Sequence, residues 1–275
     1  MKIFWLELAF LEYKKFFNEI KESQVKLAIF TPNPEILLLA KEDENFRKIL
    51  EKWDYLVPDW IGIWAGYQIL DNSKWKLLNA LLIPYFWINL FIKRKALYKK
   101  YWERIIWSIL TRDLVEYANL KWKWVTIIDK FQAPGNWWDN LKIERQKVMA
   151  RDLKKKYPNS TFHYYIYKEE NKDEIIEEIN KTNDVYLFST EWAKSQETTI
   201  SELLPKLEKI KVAIWVGWSF DYILNFKKRA PKIIVALGLE WLWRLILHPM
   251  RMGKRIWRAL PVFLYQVIKS KNSSK

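Results

Sequence analysis

Cysteine is absent from this 275-residue chain, and glycine occurs only 6 times. Without cysteine there is no disulfide framework, and no thiolate can act as a metal ligand or a nucleophile. The sequence has no Asp-x-Asp motif and no Walker or Gly-x-Gly-x-x-Gly loop, and its two histidines, His163 and His248, are too isolated to suggest a ligand pair. We therefore predict a protein that requires no metal and no cofactor.

The scarcity of glycine coincides with an excess of tryptophan. An average glycine content of about 7% would give about 19 glycines in a chain of this length. The chain instead has 6 glycines beside 18 tryptophans. Hydrophobic residues make up 50% of the chain and recur in periodic segments, which excludes a disordered protein.

Acidic residues are almost absent from the last part of the chain. Residues 227–275 contain twelve lysines or arginines and one acid, Glu240, a difference of +11 within a whole-chain net charge of +15. Apolar residues are interleaved with the basic ones, which is typical of a helix that lies on an anionic membrane. A nucleic-acid-binding protein would also explain the charge, but no recognised binding motif is present. We expect a membrane surface as a partner and no nucleic acid.

Two apolar segments are too short or too charged to be ordinary membrane spans or leaders. Residues 77–92 form a sixteen-residue apolar run that contains Pro84, whereas a spanning helix needs about 20 residues. With the basic residues at 93–100, this run predicts an interfacial or re-entrant membrane insertion over about 75–103; a buried helix pair is the alternative. Residues 1–15 contain Glu7 and Glu12 within an apolar stretch, which makes a poor signal peptide and favours an amphipathic helix.

Short β-like apolar runs alternate with longer helical segments along the chain. This pattern predicts an α/β fold with a Rossmann-like, mainly parallel sheet flanked by helices. The predicted strands are Val25–Phe30, Val125–Ile128, Thr161–Tyr167, Val185–Phe188 and Val212–Val216, and the predicted helices are Pro34–Lys41, Leu141–Lys156, Lys172–Lys181 and Ile233–Leu247. We expect residues 1–244 to form the α/β domain and residues 245–275 to form a basic, helical, membrane-binding appendage.

Seven short blocks occur in an order that is specific to one family. They are TPNPE at residues 31–35, VPDWIG at 57–62, EWAKSQE at 191–197, VGWSFDY at 216–222, KRAP at 228–231, GLEWLWRL at 238–245 and PMR at 249–251. Together they resemble the signature of the WecG/TagA/CpsF glycosyltransferases. The resemblance spans roughly residues 20–265.

The resemblance implies a hexosyltransferase that moves an N-acetylmannosamine-type sugar, with inversion, from a UDP donor to a polyprenyl-diphosphate-linked N-acetylglucosamine. Such an enzyme would act in the assembly of cell-surface polysaccharide or wall polymer, for example a teichoic acid linkage unit. It would be cytoplasmic and bound peripherally to the inner face of the cell membrane. The alternative is a catalytically inactive, membrane-associated homologue, and a homo-oligomer is left open.

Site residues are also implied by the resemblance. Asp59, in the block that matches the family's PDG, would deprotonate the acceptor hydroxyl, although an Asp after proline is by itself typical of a turn or cap. Thr31 and Asn33 follow the first predicted strand, at the edge where open α/β sheets bind ligands. They would form hydrogen bonds with the sugar donor or with the sugar acceptor; the alternative is a helix cap. Gln196 and Glu197 match the family's Q-E pair, where Gln would contact the nucleotide sugar.

The cationic candidates are Arg229, Arg244 and Arg251. A guanidinium grips phosphate oxygens with two parallel hydrogen bonds, so at least one of the three would neutralise the UDP leaving group. Asp221 and Glu240 would either contact the substrate or orient these arginines.

Three blocks depart from the family pattern in one way, because Trp60, Trp192 and Trp218 stand where glycine is expected. Our hypothesis is that the gene uses UGA as a glycine codon, so that these residues are glycine in the native protein. Tryptophan neither enters left-handed turns readily nor permits the close backbone approach that glycine allows. The alternative is genuine tryptophan in a diverged homologue. Further candidates are Trp107, Trp122 or Trp124, Trp137, Trp138 and Trp215.

Overall fold

The computed structural model describes residues 2–9, 11–58, 61–71, 105–130, 137–191, 194–227, 229–231, 234–235 and 239–273. The strands in these ranges are β1 (Lys2–Ile3), β2 (Leu6–Glu7), β3 (Leu27–Phe30), β4 (Tyr55–Leu56), β5 (Trp124–Lys130), β6 (Phe162–Tyr167), β7 (Asp184–Ser189) and β8 (Val212–Trp215). β1 and β2 pair antiparallel, and the other six form one parallel sheet in the order β4-β3-β8-β7-β5-β6. The predicted α/β class with a mainly parallel sheet is confirmed.

The helices in the same ranges connect and cover these strands. They are α1 (Tyr13–Lys21), α2 (Pro34–Glu42), α3 (Glu44–Leu50), α4 (Ile61–Asp71), α5 (Trp107–Leu120), α6 (Trp137–Lys156), α7 (Lys172–Lys181), α8 (Ser195–Leu203), α9 (Ser219–Ile223), α10 (Glu240–Leu247), α11 (Pro249–Trp257) and α12 (Phe263–Ser273). A π-helical turn, Arg258–Val262, joins α11 to α12. Within the predicted helix at 233–247, residues 234–235 are helical and α10 covers 240–247.

Strand residues alternate between two cores, one on each face of the sheet. Ile128 and Ala213 belong to the core that α2, α3, α4, α7, α8 and α12 cover, whereas Ile127 and Ile214 belong to the core under α1, α5, α6 and α9. Neighbouring residues of a strand point to opposite faces, so these apolar runs are buried on both sides. The sequence pattern predicted β3, β5, β6, β7 and β8 because each is a short, mainly apolar run rich in β-branched and aromatic residues.

The expected amphipathic helix over residues 1–15 is wrong for the described residues. β1 and β2 occupy the start of the chain, and α1 begins only at Tyr13. Ile3 and Leu6 are buried, and the amide of Ala9 donates to the carbonyl oxygen of Leu56 over 2.8 Å. Packing of this hairpin against the core therefore outweighs its helix-like spacing of apolar residues.

The C-terminal helices divide into an exposed part and a buried part. Met250, in α11, is almost fully exposed, whereas Phe263 and Val267, in α12, are fully buried. A Cβ atom at Gly66 of α4 would lie 2.8 Å from the Phe263 ring, so this close approach requires glycine. The helical character of the tail agrees with the prediction, but the structure does not confirm a separate appendage after residue 244.

Several predicted features lie outside the described residues. They are the membrane insertion at 75–103 with its apolar run at 77–92, and the residues Asp59, Trp60 and Trp192. Among the helices that the structure does describe, none is long and apolar enough to cross a membrane.

Candidate functional site

The carboxyl ends of three neighbouring strands bring together polar residues that are far apart in sequence. β3, β8 and β7 are adjacent and parallel, with Ile29 opposite Ile214 and Ser189 opposite Trp215. Thr31 and the segment at 190–191 therefore emerge on either side of the end of β8. Adjacent strands lie about 4.8 Å apart, so these two segments, which are separated by β8, lie about 10 Å apart and one bound molecule could contact both. This is the edge where open α/β sheets bind ligands.

Thr31 is the first residue after β3 and carries an unsatisfied polar atom. Its side chain is 1% exposed, and its Oγ1 has no hydrogen-bond partner among the described residues. Buried hydroxyl groups are nearly always hydrogen-bonded in folded proteins. The position of Thr31 therefore fits a residue whose partner is a bound molecule.

Asn33 has a structural role that the sequence analysis named as the alternative. Its Oδ1 accepts the amide N–H of Ile36 over 3.0 Å and caps the N terminus of α2. Pro34 occupies the first turn of that helix, where the missing N–H leaves no hydrogen bond unmade. The side-chain amide of Asn33 is the group that would donate to a substrate.

The segment that leads to Asp59 runs beside β3. β4 pairs with β3, and the amide of Val57 donates to the carbonyl oxygen of Phe30 over 2.8 Å. The last described residue of this segment, Pro58, is buried. Asp59 itself lies outside the described residues, so its role as the base stays a prediction.

Glu191 is a candidate that the sequence analysis missed. It lies just beyond β7 and is 3% exposed. Its Oε2 accepts hydrogen bonds from Ser195 Oγ at 2.7 Å and Thr199 Oγ1 at 3.2 Å, whereas Oε1 has no partner among the described residues. Burial raises the pKa of this carboxyl to about 7, against the opposing effects of the two hydroxyls and of Lys130. An acid directly after a buried strand was the signal in the sequence.

The residues that follow Glu191 start α8. Lys194 has a left-handed backbone, with φ of 74°, and its Nζ lies 2.7 Å from Asp43 Oδ2. This ion pair lowers the pKa of Asp43. Glu197 is fully buried, and Gln196 lies in the first turn of the helix.

The turn after β8 carries a third group of candidates. Gly217 adopts a left-handed conformation with φ of 48°, and Ser219 Oγ donates to the carbonyl oxygen of Val216 over 2.7 Å. Asp221 is 3% exposed in α9. Trp218 has φ of −87° and ψ of 19°, a conformation open to any residue, so its backbone does not require glycine.

The arginine candidates differ in their contacts. Arg229 Nε lies 3.5 Å from Glu240 Oε1, and its buried Nη2 has no hydrogen-bond partner among the described residues. Arg244 is exposed and donates from Nη2 to Tyr222 Oη over 3.3 Å. Arg251 lies in α11, and its side chain is outside the described part of the structure. Glu240 therefore contacts one side of the Arg229 guanidinium, and Nη2 could donate a hydrogen bond to a bound molecule.

The backbone at Trp122 bears on the glycine hypothesis. Trp122 follows the end of α5 with φ of 55°, and the amide of Lys123 donates back to the carbonyl oxygen of Ala118 over 2.9 Å. This is the longer of the two hydrogen bonds of a Schellman motif, in which the left-handed residue is usually glycine. Of the pair Trp122 and Trp124, the structure favours Trp122 as the glycine position, since Trp124 lies in β5.

Similarity to known proteins identifies the family of this chain. The model of the Glycosyl transferase WecG/TagA/CpsF family matches residues 143–275. An N-acetylglucosaminyldiphosphoundecaprenol N-acetyl-beta-D-mannosaminyltransferase of Staphylococcus aureus (strain MRSA252) is 30% identical over 255 residues, covering 92% of this chain and 84% of the relative. A protein of the same name from Bacillus subtilis (strain 168) is 24% identical over 259 residues, again covering 92% and 84%.

The covered parallel sheet and these relatives define the protein as a glycosyltransferase. It belongs to the WecG/TagA/CpsF family, as the seven sequence blocks predicted.

Proposed function

We propose that the protein transfers an N-acetylmannosamine-type sugar from a UDP donor to a polyprenyl-diphosphate-linked N-acetylglucosamine, with inversion at the anomeric carbon. The acceptor is the kind that the names of the Staphylococcus aureus and Bacillus subtilis relatives state. The observation that carries the proposal is the pair of buried, incompletely satisfied polar side chains, Thr31 and Glu191, at the carboxyl end of the sheet.

The proposed reaction is a single displacement. The acceptor hydroxyl oxygen attacks the anomeric carbon of the donor, its proton passes to the Asp59 carboxylate, and the bond from the sugar to the UDP oxygen breaks. The electron pair of that bond leaves with UDP. Inversion follows because the attacking and leaving oxygens lie on opposite faces of the sugar.

Cationic side chains would stabilise the negative charge that develops on the leaving diphosphate. Arg229 is the strongest candidate, because Glu240 orients its guanidinium while Nη2 is left to donate. Arg244 and Arg251 would add further positive charge from α10 and α11. Thr31, Asn33, Gln196, Glu197 and Asp221 complete the proposed substrate-binding set.

We further propose that the enzyme works at the inner face of the cell membrane, with α10 and α11 against anionic lipid. The exposed apolar residues of these two helices are Ile246, Leu247, Met250 and Trp257. Basic residues lie among them, and the combination of apolar insertion and positive charge favours an anionic membrane surface. The acceptor lipid would enter the site from this side.

The first experiment measures sugar transfer from UDP-N-acetylmannosamine to lipid-diphosphate-linked N-acetylglucosamine on vesicles. The protein is made as written and with glycine at Trp60, Trp192 and Trp218. Transfer that is abolished by Asp59→Asn supports the proposed reaction, and transfer by the glycine form alone also supports the codon hypothesis. No transfer by either form favours the alternative, an inactive membrane-associated homologue.

Membrane docking is tested separately by sedimentation with anionic and zwitterionic vesicles. The double variant Met250→Ser and Trp257→Ser should bind anionic vesicles more weakly, because it removes exposed apolar surface without touching the buried residues of α12. Leu120, which is 72% exposed at the end of α5, provides the matched control as Leu120→Ser. Equal binding by all forms would contradict docking through α10 and α11.

A further inference from the structure

The buried carboxyl group of Glu191 connects the end of β7 to the start of α8 by hydrogen bonds. Ser195 Oγ and Thr199 Oγ1 both donate to Glu191 Oε2, over 2.7 and 3.2 Å. Because these hydroxyls are four residues apart, they lie on one face of the helix and reach the same acceptor. The carboxyl also lies close to the helix N terminus, where a negative charge is stabilised by the helix dipole.

Glu191 is an unfavourable residue for an ordinary core. It is 3% exposed, and burial is the largest influence on its pKa, which rises to about 7. The charged groups of the described residues that act on it are Lys130 and Asp129 of β5, which have opposite effects. A buried carboxyl that opposes folding when it ionises is more common at functional sites than in structural cores.

The segment that Glu191 contacts contains the residues that are predicted to bind the sugar donor. Gln196 directly follows Ser195, and Glu197 follows Gln196, all within the first turn of α8. At the surface, the ion pair between Lys194 and Asp43 fixes the same turn to the start of α3. The left-handed backbone of Lys194 disfavours the turn unless contacts such as these hold it.

We propose that Glu191 is a positioning residue of the transferase site. Its ionised carboxylate holds Ser195 and Thr199, and so fixes the backbone of Gln196, the residue predicted to contact the nucleotide sugar. This inference rests on the proposed function, because Gln196 contacts a donor only if the protein uses one.

The test compares Glu191→Gln with the unsubstituted chain, in whichever form transfers sugar in the vesicle assay. Glutamine keeps the shape and an acceptor oxygen but removes the charge that strengthens both hydrogen bonds. We expect the KM for UDP-N-acetylmannosamine to rise about tenfold, because one strong hydrogen bond is worth about that factor. The change in kcat should be smaller. Ser195→Ala should raise KM in the same direction, and the double variant should show less than the product of the two effects.

Two readouts separate positioning from a merely structural role. In the unsubstituted chain the donor KM should fall as the pH rises through about 7, because ionisation strengthens the hydrogen bonds that Glu191 accepts. Glu191→Gln should lose this dependence, and it should melt at a higher temperature than the unsubstituted chain at about pH 8, where the buried charge is removed. A purely structural residue would give a lower melting temperature and an unchanged KM.

The matched control is Asp184, the buried carboxyl at the other end of the same strand. Asp184→Asn should lower the melting temperature and leave the donor KM unchanged. An unchanged KM and pH profile in Glu191→Gln, with transfer intact, would overturn the inference and leave the proposed function standing. Absence of transfer in the unsubstituted chain would overturn the proposed function and this inference with it.

Discussion

The two ends of the parallel sheet differ in how their buried carboxyl groups are hydrogen-bonded. At the amino end, Asp184 accepts hydrogen bonds from Thr126 and from His163 Nδ1, at 2.9 Å for the histidine. At the carboxyl end, Thr31 Oγ1 and Glu191 Oε1 are buried without a hydrogen-bond partner among the described residues. Asp184 is thus part of a satisfied network at the amino end, where Ser160 Oγ is nevertheless also buried without a described partner. Since buried polar groups are normally satisfied, we propose that the two atoms at the carboxyl end contact a bound molecule.

The largest expected effect concerns the proposed base. Asp59→Asn should lower kcat by a factor of about 10² to 10⁴, the range for loss of a general base. Asp184→Asn, at the amino end, should leave kcat unchanged and lower stability by about 1–3 kcal/mol, because it weakens satisfied buried hydrogen bonds. Transfer assays and urea unfolding measure the two effects. If Asp184→Asn lost as much activity as Asp59→Asn, the division between the two ends would be wrong.

A smaller loss of activity is expected for Arg229, the proposed cation at the carboxyl end of the sheet. Arg229→Ala should reduce kcat/KM about 100-fold, because an aligned donor to the leaving diphosphate is lost, and Arg229→Lys should recover only part of it, since lysine lacks the planar fork. The control is Lys209, an exposed cation beside the start of β7 that contacts Thr182 and Asn183. Lys209→Ala should transfer sugar at the normal rate; a comparable loss there would point to a nonspecific charge effect.

Stability should depend on pH in a way set by the carboxyl end. The folded-state pKa of Glu191 is raised to about 7, so the folded protein binds this proton more tightly than the unfolded chain does. Its contribution to stability is therefore present at low pH and is lost as the pH rises from about 4.5 to 7, a change of about 3 kcal/mol. Unfolding free energies measured across this window for Glu191→Gln should lack that decline. An identical decline in the variant would assign it to other groups.

The smallest expected effect concerns the backbone near the amino end of β5. Trp122→Gly should raise the free energy of unfolding by about 1 kcal/mol, since glycine adopts the left-handed conformation without the Cβ clash. Trp124→Gly, two residues further along in β5, should lower stability, because glycine weakens a strand and removes a packed side chain. Chemical denaturation of both variants measures the difference. A destabilised Trp122→Gly would contradict glycine at this position, and a lower intact mass of the native protein would support it.

Much of the sheet was predictable from local sequence. The segments at 125–128, 161–167 and 212–216 are runs rich in β-branched and aromatic residues, and they form strands close to their predicted bounds. The helix at 172–181 has a regular 3.6-residue pattern with Ile175, Ile176 and Ile179 buried, and its bounds are confirmed. In these segments local propensity and burial favour the same structure.

Local sequence is a poorer guide where packing against distant residues decides the structure, as at the two ends of the chain. The start of the chain forms a hairpin because Ile3 and Leu6 pack into the core beside residues such as Leu56, contacts that are remote in sequence. The appendage at 245–275 stays a prediction; within it, Phe263 packs against Gly66, and Arg255 pairs with Glu35 at 2.9 Å. No local pattern of residues 245–275 specifies those partners.

The sequence by itself determined the family, the parallel α/β class and the identity of most candidate site residues, because short blocks and strand patterns are local properties of the chain. Only the tertiary structure decided which polar groups are satisfied. Thr31, Glu191 and Arg229 lie far apart in sequence, and their unmet hydrogen bonds become visible only when strands and loops pack around them. Burial turns an ordinary acid or hydroxyl into a group that needs a partner, and burial is a property of the whole fold.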